Sequence, residues 1–87
     1  MSVVLRTAVV ELSNESDGTV VFEYNLDGTG EVLVAFLPNA AYTPYNPSIY
    51  ILPTVTLDSM CDQNAFFSRS DARRIWESLV REGFKVA

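Results

Sequence analysis

From Val32 to Leu57 the chain runs for 26 residues without a charge, and all four of its prolines, Pro38, Pro44, Pro47 and Pro53, fall inside that run. A neutral stretch of this length is buried either in a bilayer or in protein, and the prolines decide between them. A spanning helix needs about 20 consecutive apolar residues. Each proline inside it would cost roughly 3 kcal/mol or more, and Asn39, Asn46 and several hydroxyls interrupt it further. The membrane reading therefore fails, and the run is expected to be strand, loop, strand: 31–37, then a loop of residues 39–47, then 48–57.

The rest of the chain has its own periods. Residues 3–12 (VVLRTAVVEL) are rich in β-branched side chains, as a strand requires. In residues 19–26 (TVVFEYNL), Val20, Phe22, Tyr24 and Leu26 share one face of a period-two pattern. Asp17-Gly18 and Asp27-Gly28 lie between these apolar segments, where Asp-Gly is a hairpin signal. Residues 69–82 carry a different period. Ala72, Ile75, Trp76, Leu79 and Val80 recur at helical spacing, Ser68 and Asp71 fit a capping box, Phe67 can staple onto Ala72, and Gly83 with Phe84 fits a Schellman ending. Glu77 is spaced to pair with Arg81 and with Arg73. Lys85-Val86-Ala87 reads either as a frayed tail or as a short closing strand.

These segments predict an α+β fold in a single domain of residues 1–87. It is a four-stranded antiparallel β-meander with one C-terminal amphipathic helix packed on one face. The alternative is a small curled β-barrel with an appended helix. The first and third strands are apolar on both faces, a pattern of strands covered on both sides. One helix cannot cover two faces of a sheet. Either the sheet curls shut or a second chain covers it, so a homo-oligomer is expected.

Charge and composition exclude several function classes. Residues 1–67 hold one base and eight acids, for a net charge of −7, while residues 68–87 hold five bases and three acids, for +2. Such an acidic body repels phosphate backbones, so no nucleic-acid partner is expected, and a basic protein partner suits it better. The chain has no histidine, which removes the commonest general base and zinc ligand. Its single cysteine, Cys61, lies between Asp58 and Asp62, whose charges would raise a thiol pKa rather than activate it. The DSMCDQN stretch lacks the calcium-loop pattern, and Asp27-Gly28-Thr29-Gly30 lacks the lysine of a phosphate loop. No catalytic residue, cofactor or metal is expected. One cysteine and no leader-like N-terminus predict a cytoplasmic protein. On that reading the sequon at Asn14-Glu15-Ser16 goes unused.

Two groups of residues are candidate sites. Tyr42, Pro44, Tyr45, Asn46 and Pro47 stand in the long loop, where stiffened backbone and tyrosine rings suit contact with a protein partner. The competing role is that both rings cap the core. Arg69 and Arg73, near the helix start, are candidates for holding an anion, against the alternative of ordinary surface arginines.

Residues 72–87 (ARRIWESLVREGFKVA) resemble the closing segment of small uncharacterised proteins of marine cyanobacteria, with the pattern A-R-x-x-W-x-x-L-x-x-x-G-W. The matching positions are Ala72, Arg73, Trp76, Leu79, Gly83 and Phe84, with Phe84 where tryptophan is usual. The match covers about a fifth of the chain and implies a cyanobacterial or cyanophage setting, without implying a mechanism. The function expected from the residues is that of a small non-enzymatic regulator or inhibitor that docks on a partner protein. The alternative is a structural subunit of a larger assembly, such as a virion or photosynthetic complex.

Overall fold

The computed structural model describes residues 6–40, 50–52, 55–56 and 65–87. In chain order the elements are β1 (Thr7–Asn14), β2 (Gly18–Asn25), β3 (Val32–Pro38), β4 (Tyr50–Leu52), β5 (Val55–Thr56), β6 (Ala65–Phe67), α1 (Arg69–Arg81) and β7 (Lys85–Val86). Five strands form one sheet in the order β6-β3-β2-β1-β7, and every pairing is antiparallel. The fold is thus the expected α+β meander with one C-terminal helix. The sheet is open, which removes the barrel alternative.

Side-chain chemistry at the two turns sets the register. Asn14 Oδ1 accepts from the amides of Asp17 at 2.7 Å and Gly18 at 3.3 Å, closing the β1–β2 connection. Gly18 begins β2 with φ of +141°, and a Cβ there would stand 2.2 Å from the Leu37 carbonyl oxygen. Only glycine lets β3 pass this close. Asn39 ties the same corner, its amide donating to the Asp17 carbonyl at 2.8 Å and its side chain to the Glu15 carbonyl at 2.9 Å. At the β2–β3 turn the Gly28 amide donates to the Asn25 carbonyl at 3.2 Å, and Asp27 Oδ1 accepts from both the amide and the hydroxyl of Thr29.

The core follows from the strand alternation and the helix stripe meeting on one face. Leu12, Val20, Phe22, Val32, Val34 and Phe36 of the sheet bury against Ala72, Ile75 and Leu79 of α1, and Phe84 closes the cluster. Both ends of α1 are satisfied locally. Ser68 Oγ accepts from the Asp71 amide at 3.2 Å. At the other end the Phe84 amide donates to the Leu79 carbonyl and the Gly83 amide to the Val80 carbonyl, the pair of bonds that defines a Schellman ending. Gly83 supplies the positive φ that this ending needs.

Several expectations change at the level of single elements. Of residues 48–57 the structure describes 50–52 and 55–56, and these pair with each other as β4 and β5. The place beside β3 belongs to β6, a three-residue strand that carries no readable period. The closing strand is formed, with Leu12 opposite Val86 and Ser13 opposite Lys85. Leu26 falls past the end of β2 and is exposed, because the turn begins there. Val80 lies at the margin of the helix stripe and is 49% exposed. Asp71 pairs with Arg74 at 3.5 Å, and Glu77 forms no ion pair with Arg73 or Arg81.

Candidate functional site

Arg69 and Arg73 are one helical turn apart, so both project from the same side of α1. The 13-residue helix is about 20 Å long and runs nearest to β3, β6 and β4. That placement leaves the β1 side of the same sheet face unfilled. The result is a groove of about 510 Å³. Val10, Phe22 and Tyr24 of the sheet line it together with Trp76 of the helix, and Arg69 and Arg73 stand at its border. Trp76 packs edge-on to Phe22, with ring centroids 5.3 Å apart at 65°. The Arg69 guanidinium lies 5.8 Å from the centre of the Tyr24 ring and donates from Nη1 to the Asn25 carbonyl at 3.4 Å. No described carboxylate forms an ion pair with Arg69 or Arg73. The two predicted anion-holding residues are therefore brought together beside an apolar, aromatic groove.

The opposite face of the sheet differs in kind. The register aligns Glu11 with Val21 and Val21 with Ala35, and likewise Glu23 with Leu33 and Leu33 with Phe66. None of these side chains faces the core. Val9, Leu37 and Phe66 are 58%, 57% and 65% exposed, and no described helix or strand lies over this face. At one end it sinks into a hollow of about 430 Å³ lined by Glu23, Glu31, Leu33 and Phe66 among others. Two carboxylates there stand beside two apolar side chains.

The β2–β3 turn carries the one shifted carboxyl among the described residues. Donation from the Thr29 hydroxyl at 2.6 Å and from its amide at 2.9 Å holds Asp27 below the usual carboxylate range, and the positive charge of Arg69 adds to this.

Tyr42, Pro44, Tyr45, Asn46 and Pro47 lie outside the described residues, as does Cys61. The bare sheet face was legible in the two-sided apolar pattern of β3, with Leu33, Ala35 and Leu37 alternating against Val32, Val34 and Phe36. Glu23, Glu31 and Phe66 were not legible as one hollow, because they come from three segments and meet only through the β2–β3–β6 pairings. Among the described residues no group of His, Cys, Asp and Glu side chains is arranged to hold a metal ion, and no helix is long and apolar enough to cross a membrane. Comparison with family models, with curated proteins and with solved structures finds no match.

Proposed function

We propose that this chain is a non-enzymatic binding protein that docks on a basic protein partner through the sheet face opposite α1. The observation that carries the reading is that face itself: exposed apolar side chains on β1, β3 and β6, Val9, Leu37 and Phe66, beside the hollow with Glu23 and Glu31. Exposed apolar patches bounded by polar residues mark interaction sites. The charges choose the partner. Glu11, Glu23 and Glu31 lie on or beside this face, and Lys85 is aligned with it across Ser13. A lysine or arginine entering the hollow would lay its stem on Leu33 and Phe66 and bring its charge to the two carboxylates. A second copy of the chain would oppose acids to acids, so self-association through this face is the weaker use of it and strengthens as salt screens the repulsion.

The test compares capture by the immobilised parent and by a Leu37→Glu/Phe66→Glu variant. Both substituted positions are exposed, so the variant is expected to melt close to the parent. The parent should retain a protein with an excess of lysine and arginine, released by raised salt, and the variant should lose it. Equal retention by both would move the interface elsewhere. Retention of acidic proteins alone would remove the role given to Glu23 and Glu31.

A further inference from the structure

The groove on the helix side combines two features that serve opposite ends of one ligand. Its floor is apolar and aromatic, and it is lined by two arginines that form no ion pair with a described carboxylate, the charge of Asp27 acting on Arg69 only from a distance. We infer that this groove binds a small amphipathic carboxylate, a monoanion with an alkyl or aryl body. The body would lie along Val10, Phe22 and Trp76, and the head would sit between Arg69 and Arg73.

Size, chemistry and charge each narrow the ligand. A space of about 510 Å³ falls within the roughly 300–1,000 Å³ range of small-molecule sites. Its lining is rings and aliphatic side chains with few polar groups, the pattern of sites in which apolar contact supplies affinity and one polar cluster fixes orientation. Arginine matches a carboxylate in geometry as well as in charge, and its planar fork can hold both oxygens. Arg69 is partly oriented already, since its bond to the Asn25 carbonyl and its position near the Tyr24 ring limit its rotamers. The monoanion is preferred because the whole chain carries a net charge of −5, and a second negative charge on the ligand would add repulsion from the acidic body. The groove lies on the helix side of the sheet, so this site can fail while the docking reading stands, and the reverse is equally possible.

Sodium decanoate, its neutral counterpart decanol, and acetate serve as probes, read by the emission of Trp76, the single tryptophan of the chain. Decanoate should shift the emission at a concentration about tenfold or more below that of decanol, the ratio that a charge-assisted pair supplies. Acetate, a head without a body, should leave it unchanged. An Arg69→Gln/Arg73→Gln variant should bind decanoate no better than decanol, and Arg69→Lys/Arg73→Lys should restore part of the difference. Amide shifts on adding decanoate should cluster at Val10, Tyr24, Arg69 and Trp76. The site is overturned if parent protein binds decanol as tightly as decanoate, if the glutamine variant keeps the preference, or if the shifts centre on Val9, Leu37 and Phe66. The parent's decanoate-to-decanol ratio decides alone should either variant fold poorly by circular dichroism.

Discussion

At the scale of single residues, positions that look alike in the sequence carry unlike energies. Gly18 and Gly28 both follow aspartate and both take a positive φ, of 141° and 82°. A Cβ at Gly28 meets nothing within 4 Å, whereas one at Gly18 enters the backbone of β3. Gly28→Ala should therefore cost about 1 kcal/mol, the strain of the backbone alone. Gly18→Ala should cost about 3 kcal/mol or more, because a strand must also shift. Chemical denaturation of the two variants checks the difference, and equal losses would mean that β3 does not pass close to Gly18. The helix offers a similar contrast. Leu79 is fully buried while Trp76 is half-buried against Phe22. Leu79→Ala should lose about 3 kcal/mol. Trp76→Ala should lose less, about 2 kcal/mol, since part of its ring was never withdrawn from water. Either loss is large against the roughly 4–13 kcal/mol expected of a domain this size. A larger loss for Trp76 than for Leu79 would place the tryptophan in the core rather than at the groove.

At the scale of elements, local chemistry was the most legible part of the sequence. The start, stripe and stop of α1 are all set by residues within its own span or next to it. Ser68, Ala72, Ile75, Leu79, Gly83 and Phe84 accordingly sit as their spacing requires. The β2–β3 turn is local in the same way, and it makes a testable prediction. Asp27 is depressed in the folded state by the Thr29 hydroxyl first and the Thr29 amide second. Its contribution is therefore present above the ordinary aspartate pKa of about 4 and is lost as pH falls through the lower folded value. Thr29→Val removes the hydroxyl donor and keeps the amide, so an NMR titration should find the Asp27 pKa raised toward the ordinary value. An unchanged pKa would show that the hydroxyl is not the main cause. Pairings set by distant segments were not legible. β6 has three residues, too few for a period, and its place beside β3 depends on Val32 meeting Phe67 and Leu33 meeting Phe66 across the sheet. The acidic hollow inherits that dependence. The groove does too, because it exists only where α1 leaves the β1 side uncovered.

At the scale of the whole molecule, one helix meets a sheet with apolar side chains on both faces, and the two faces receive different treatment. The helix side is closed by Ile75, Leu79 and Phe84 apart from the groove. The other side leaves Val9, Leu37 and Phe66 largely in water, flanked by Glu11, Glu23 and Glu31. Docking through that face requires that it be open in the free protein. The direct measurement is the relaxation of methyl resonances by a water-soluble paramagnetic probe, at low salt and at a dilution where sedimentation gives the 9.7 kDa monomer mass. The methyls of Val9 and Leu37 should relax strongly, while those of Leu12, Val20 and Val34 should be untouched. If Val9 and Leu37 are protected as well as the last three, the face is already covered in the monomer and cannot be where a partner docks.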